Sequence, residues 1–182
     1  LYIELFYCYS MAAKDTFFLR KTLDTSGGNF VSSDIDISAY TDPARGRVMV
    51  IDRAFVTFMS DGNGPILGAD VGAGVMRTIG YQVTSETKTV LVDANDTSLV
   101  MHGSLYCTTN ADSELIMYEE VTAMNPLNTV NGLIVPTDKI QCALDISTAW
   151  AAEVSVGFVF EVHTEKLSLK RIQELLVSLT AN

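Results

Sequence analysis

"IDISAYTDPARGRVMVIDRAFVTF", residues 35–58, changes its hydrophobic pattern partway along. The first part belongs to a run, 30–38, in which apolar and polar residues alternate, as is typical of a strand with one face in water. Residues 39–46 carry Pro43 and Gly46 and predict a turn. Residues 47–59 then carry apolar side chains on both faces, so this second strand is predicted to be covered on both sides for at least part of its length.

Similar strand-like runs recur along most of the chain, separated by segments rich in Gly, Asn, Asp and Pro. Residues 60–74 are glycine-rich, and nothing in them predicts a regular element. Many short strands, with little helix before the end, predict an all-β protein, either a sandwich or a barrel. The predicted strands are 16–23, 30–38, 47–59, 75–84, 88–92, 98–107, 113–121, 131–135, 139–146 and 152–163.

The segment 168–180 has a helical period and predicts a short amphipathic helix after a Ser168 N-cap. A helix of this length is not stable alone, so we expect it to pack on the sandwich or on a neighbouring subunit. The one tryptophan lies between two predicted strands, where a core plug or interface anchor is more typical than a sugar platform. The predicted interface residues are Trp150, Ile172, Leu175, Leu176 and Leu179.

The charge balance limits the partners that this chain is expected to bind. Its 182 residues include 12 basic and 22 acidic side chains, which give a net charge of −10. Tight, non-specific binding of nucleic acid needs a basic footprint, so no direct binding of that kind is expected. The cysteines Cys8, Cys107 and Cys142 match no zinc spacing, and free buried thiols are predicted, although Cys107 and Cys142 remain a possible pair.

The first residues differ in character from the rest of the chain. "LYIELFYCYS", residues 1–10, is too short for a membrane span and lacks the basic region of a signal peptide. Residues 1–15 are predicted to be an N-terminal extension, with Met11 as a candidate natural start. Residues 16–182 are predicted to form a single β-sandwich domain that ends in the helix 168–180 and folds in a cytoplasm.

A catalytic triad is the first enzymatic arrangement that the sequence offers. His102 and Ser104 share one face of a predicted strand, and Asp93 or Asp96 is available as a third member. Two side chains spaced two residues apart on a strand are too far apart for a firm hydrogen bond. A polar residue on the wet face of a strand explains His102 better than catalysis does.

Acidic pairs and glycine-rich loops supply no better site. Glycosidase carboxylates need a cleft and one raised pKa, whereas acids on an alternating strand are typical of a solvated face. The acidic loops depart from the EF-hand pattern, and the glycine-rich loop lacks the Gly-Lys-Ser/Thr ending of a phosphate-binding loop. The pairs are Asp34/Asp36 and Glu119/Glu120, and the loops are 61–70, 93–98 and 68–75. No catalytic, cofactor-binding or metal-binding residue is predicted, and the chain is not expected to be an enzyme.

Three segments carry a family resemblance: residues 35–58, "VPTDKIQCALDI" (135–146) and "VGFVFEVHTEKLSLKRIQELL" (156–176). In pattern and strand order they resemble the small single jelly-roll capsid proteins of tailless icosahedral viruses of bacteria and archaea. The resemblance implies a jelly-roll-like β-sandwich of about eight or nine strands that assembles into capsomers. It transfers no catalytic residue.

The function predicted from the resemblance is a major or minor coat subunit, located in the virion, whose partners are copies of itself and other coat proteins. Many coat proteins carry a basic arm, but the N-terminal basic residues here are only Lys14, Arg20 and Lys21. A membrane or an inner protein layer is therefore expected beneath the subunit. The alternative function is a β-sandwich module that binds carbohydrate or another surface ligand.

Overall fold

The computed structural model describes residues 15–25, 29–61, 64–122, 132–146 and 148–180. Within these ranges the chain forms nine strands in two antiparallel sheets and ends in a helix, so the predicted all-β sandwich is confirmed. The strands are β1 (Phe17–Asp24), β2 (Phe30–Asp36), β3 (Arg47–Ser60), β4 (Met76–Thr84), β5 (Leu99–Thr109), β6 (Leu115–Thr122), β7 (Leu133–Val135), β8 (Lys139–Ile146) and β9 (Val154–Lys166). The helices are α1 (Gly68–Val71) and α2 (Leu169–Thr180).

The strand order is that of a jelly roll. The first sheet runs β1-β9-β3-β7, and the second runs β2-β8-β4-β5-β6. Early strands therefore pair with late ones: β1 with β9, β2 with β8 and β3 with β7, while β4 pairs with β5 at the closed end. This pattern results when one long antiparallel ribbon is rolled into two sheets. β6 is additional to that ribbon and forms an edge of the second sheet beside β5.

β9 supplies the centre of the core between the sheets. Its alternating apolar side chains have no solvent exposure, and the Phe158 ring meets the Tyr81 ring of the opposite sheet edge-on, with centroids 6.3 Å apart. A Cβ at Gly103 would lie 2.5 Å from Cζ of Tyr81, so the ring crosses β5 only because that residue is glycine. The core residues of β9 are Val154, Val156, Phe158, Phe160 and Val162.

Asp52 forms a β-bulge in the middle of β3. Ile51 is paired with Val162 of β9, and Arg53 is paired with the next residue along, Glu161, so Asp52 is the extra residue. An extra residue reverses which of the following side chains face the core. The bulge therefore divides β3 into two halves of opposite alternation.

This reversal explains why apolar residues occur at both odd and even positions along β3. Met49 lies in the core before the bulge, whereas Val56 packs against the core after it. Val48 and Val50 point away from the core and still have no exposure, so the predicted cover on both faces is confirmed for the first half of the strand. Part of that cover is Gly132, where a Cβ would lie 2.7 Å from Cγ1 of Val50.

Two local predictions were wrong. Residues 88–92 are not a strand; they belong to the connection 85–98, which crosses the outer face of the second sheet. Its Leu91 side chain occupies the space above Gly80, where a Cβ would lie 2.6 Å from Leu91 Cδ1. The glycine-rich segment 60–74 contains the one-turn helix α1, because the Asp70 carboxylate accepts a hydrogen bond from the Leu67 amide at 2.7 Å and closes the turn.

The predicted helix and its N-cap are confirmed. The hydroxyl of Ser168 accepts a hydrogen bond from the Arg171 amide at 3.3 Å. α2 packs beside the 3-10 turn Pro43–Arg45, and the Leu167 amide donates to the Gly46 carbonyl at 2.8 Å. The helix is thus attached to the turn that precedes β3.

Deleting one residue at the bulge tests this account of β3. Removing Asp52 makes the β3–β9 ladder regular and keeps every other side chain on its present face. The main cost is the lost hydrogen bond with His163 Nδ1, so we expect a loss of less than about 3 kcal/mol in the free energy of unfolding. Removing Ile51 instead brings the Asp52 carboxylate into a core position, and we expect a loss of more than about 4 kcal/mol. Chemical denaturation measures both values, and equal losses would contradict the bulge.

Candidate functional site

The structure does not assemble the triad considered from the sequence. The Asp96 carboxylate is bonded to Lys88 Nζ at 2.9 Å and to the Ser98 hydroxyl at 2.6 Å. His102 Nε2 is buried and has no hydrogen-bond partner within the part of the chain that the structure describes. His102 Nε2 therefore makes no hydrogen bond to Ser104, which is the contact between base and nucleophile that a triad needs.

The acidic pairs are likewise engaged in structural contacts. Asp34 is bonded to Lys139 Nζ at 3.1 Å, and a hydrogen bond from Ser38 lowers the pKa of Asp36. The Tyr81 hydroxyl donates to Glu119 at 3.1 Å. Burial is the main cause of the raised pKa of Tyr81, and the Glu119 charge adds to it. Among the described ranges, no group of three His, Cys, Asp or Glu side chains is placed to hold a metal ion.

Cys107 and Cys142 are free and buried, as the sequence predicts. Burial raises the pKa of Cys107 to about 11 and that of Cys142 to about 12, both from an ordinary value of 9.0. Neutral thiols are poor nucleophiles and metal ligands, so both side chains act as small apolar groups in the core. Cys8 lies outside the described residues.

The connection 85–98, which we call the strap, is held by two buried glutamines. The Gln82 side chain donates to the Val90 carbonyl at 2.9 Å and accepts from the Val92 amide at 2.7 Å. Gln141 accepts from the Lys88 amide at 2.6 Å. These side-chain amides take the place of the backbone hydrogen bonds that a neighbouring strand would supply. The strap, although rich in β-branched residues, therefore lies flat on the sheet without forming a strand.

Trp150 is half-buried and packs against the core near the start of β9. It lines a cavity of about 330 Å³ together with Thr25, Asn29 and Glu153. Its indole Nε1 is buried without a hydrogen-bond partner among the described residues. Because the ring packs inward, it does not form the exposed platform that a Trp150-centred sugar site requires.

The four predicted interface residues of α2 have different surroundings. Ile172 is only 2% exposed, so it packs within its own chain. Leu175 is partly buried and Leu176 is exposed, whereas the Leu179 side chain lies outside the described residues. Their role in contacts between subunits stays a prediction.

An exposed aromatic and cationic surface on the first sheet was missed from the sequence. Phe18 and Phe55 are 50% and 47% exposed, and they point outward from β1 and β3. The Arg20 guanidinium lies 5.3 Å from the centre of the Phe18 ring, within range of a cation–π contact. We call this surface the arginine face; its members are Phe18, Arg20, Arg53, Phe55 and Val159.

A second exposed apolar surface lies on the opposite side of the sandwich. Ile116 and Tyr118 of the edge strand β6 are 69% and 63% exposed, and Tyr118 lies beside Tyr106 of β5 with ring centroids 6.2 Å apart. Met76 of β4 is exposed in the next position across the sheet. We call this surface the acidic face; its members are Met76, Tyr106, Ile116, Tyr118 and Glu120.

A histidine–aspartate pair with a buried histidine was also missed. His163 Nδ1 lies 2.6 Å from Asp52 Oδ2, and the pair joins β9 to the bulge of β3. The two residues are 111 positions apart, so only the pairing of the strands brings them together. The one signal in the sequence is an acid at position 52 within an apolar strand.

The glutamine contacts lead to a direct test. In the variant Gln82→Met two backbone groups of the strap lose their buried partner, so we expect the free energy of unfolding to fall by about 2 kcal/mol or more. Faster hydrogen exchange is expected at the Val92 amide. The control Gln173→Met changes an exposed residue of α2 and should have little effect. Unchanged exchange at Val92 would show that Gln82 does not hold the strap.

The thiols lead to a second test. Folding raises the pKa of both thiols above the unfolded value of 9.0. The neutral thiols therefore contribute fully to the stability of the fold below pH 9.0, and this contribution is lost as the pH rises from 9.0 through the raised pKa values. At pH 8 we expect iodoacetamide to leave Cys107 and Cys142 unmodified in the native protein and to modify both in denaturant. Peptide mass spectrometry reads the two sites separately. Rapid native modification of either would contradict its burial.

No family model matches the chain, and no curated protein matches it. Among solved structures, a chain titled turnip yellow mosaic virus matches with a TM-score of 0.34 and 12% sequence identity, over 85% of this chain and 95% of that chain. A TM-score this low carries no argument about function. No helix among the described residues is long and apolar enough to cross a membrane.

Proposed function

We propose that this chain is a structural subunit of a virus capsid, a major or minor coat protein that assembles with copies of itself. The observation that carries the proposal is a jelly-roll sandwich with exposed apolar side chains on the outer faces of both sheets. A lone monomer rarely leaves clustered aromatic and aliphatic side chains in water, because such patches drive association. A coat subunit needs contact surfaces of this kind on more than one side.

The arrangement of polar groups supports the same proposal. The buried side chains of Gln82 and Gln141 and the half-buried side chain of Asp96 hold strands and loops together. Such contacts stabilise a rigid building block, which suits a particle built from many copies. The location proposed for the assembled subunit is the virion.

The net charge of −10 supports a coat layer that does not itself bind the genome. A membrane or an inner protein layer is the proposed contact on the particle's inner side. Other coat proteins are proposed as further partners. The two sheet faces are proposed for contacts between copies of this chain, whereas the exposed residues Leu169, Leu176 and Val177 of α2 are proposed for contacts with these other partners.

Assembly of the purified chain tests the proposed function. We expect sedimentation velocity at physiological salt to show oligomers whose share rises with protein concentration, and electron microscopy to show rings or closed particles. Apolar contacts drive the association, so oligomers should persist at high salt. A strict monomer at every concentration up to the millimolar range would contradict the proposal.

A further inference from the structure

We propose that the arginine face of one copy binds the acidic face of the next copy. This inference rests on the proposed function, and it names the two surfaces through which the subunits meet. The contact is heterologous, because each copy offers one surface of each kind. Repetition of such a contact builds a ring when the rotation between copies closes.

The arginine face is an ordered grid across three strands. In one row Phe18, Glu161 and Arg53 lie side by side, and in the adjacent row Arg20, Val159 and Phe55 do so. Each row thus has an aromatic ring at one end and a guanidinium at the other. Arg53 is 71% exposed and lies 3.7 Å from Glu161. Within these two rows two arginines lie beside one acid, so the rows carry a net positive charge, although the whole chain is strongly negative.

The acidic face has the same apolar content and the opposite charge. The stretch from Gly103 to Thr122 contains four acidic residues and no Lys or Arg. Glu120 points outward from β6 beside Tyr118, and Glu114 and Asp112 lie in the exposed turn that leads into the strand. The exposed aromatic and aliphatic side chains are able to pack against the rings of the arginine face. The carboxylates beside them are complementary in charge to its guanidiniums.

β6 is also an edge strand whose first half, residues 115–118, carries neither a charged side chain nor a proline. Edge strands that stay in solvent generally carry lysine or proline, which block pairing with other chains. β6 reads LIMYEEVT, and its exposed side chains include Ile116, Met117 and Tyr118. A surface of this composition is typical of one that a neighbouring subunit covers.

The charges of the two faces favour the heterologous contact over a symmetric contact between two like faces. Two arginine faces placed together would bring both copies of Arg20 and Arg53 into one interface, and two acidic faces would bring their carboxylates together. Like charges in an interface are unfavourable, whereas the heterologous contact opposes arginines to carboxylates. The two faces lie on the outer sides of different sheets, so one copy is able to use both at once.

Charge reversal and mixing test the contact. We expect Arg53→Glu alone, and Glu120→Arg alone, to raise the protein concentration needed for association by about tenfold or more. In an equal mixture of the two variants each reversed face meets a complementary one, so association should return to near the wild-type level. Sedimentation velocity measures all three samples, and Arg20→Glu serves as a second variant of the arginine face.

The following controls and outcomes distinguish a failure of this contact from a failure of the proposed function. Lys170→Glu makes the same charge change on the exposed side of α2, and it should leave association unchanged. Circular dichroism and thermal melting confirm that each variant is folded. If the wild type assembles but the sheet variants assemble equally well, or if the mixture stays dissociated, this contact is overturned while the proposed function stands. A wild-type chain that never assembles overturns the proposed function itself.

Discussion

The pairing of β9 with both β1 and β3 is the contact on which the rest of the structure depends. The last strand lies between the first and the third, so it closes the roll and brings the first and the last strand into one sheet. Its five inward side chains have no exposure, and burial of this kind contributes about 1.5–3 kcal/mol for each residue. Because the partners are distant in sequence, this sheet forms only when the whole chain comes together.

The same pairing determines what the outer faces offer. On the first sheet it aligns Arg20, Val159 and Phe55 in one row and places His163 beside Asp52. On the second sheet the strap covers the outer face of β4 and β8, whereas no other segment that the structure describes covers β6 and the adjoining part of β5. Some of the exposed apolar side chains therefore lie in two surfaces that differ in charge, and others lie on the strap and on α2. The proposed assembly follows from that distribution.

The sequence predicted the features that depend on local pattern. Alternation identified β2 and β9, and helical spacing with Ser168 identified α2, because burial on one side produces a regular period. Residues 88–92 of the strap were wrongly predicted to be a strand, since their backbone groups bond to glutamine side chains instead of a neighbouring backbone. The bulge at Asp52 and both exposed faces were missed. These features depend on which residues of distant strands lie side by side. The hydrophobic period within one segment carries no information about that register.

Hydroxyl-radical footprinting of dilute and assembled protein tests the central claim most directly, because it reports the solvent access of individual side chains. Our account predicts that oxidation of Phe18, Phe55 and Tyr118 falls sharply on assembly, while that of Leu169 and Val177 on α2 changes little. Protection confined to α2, with the two sheet faces as reactive as in the dilute protein, would contradict it.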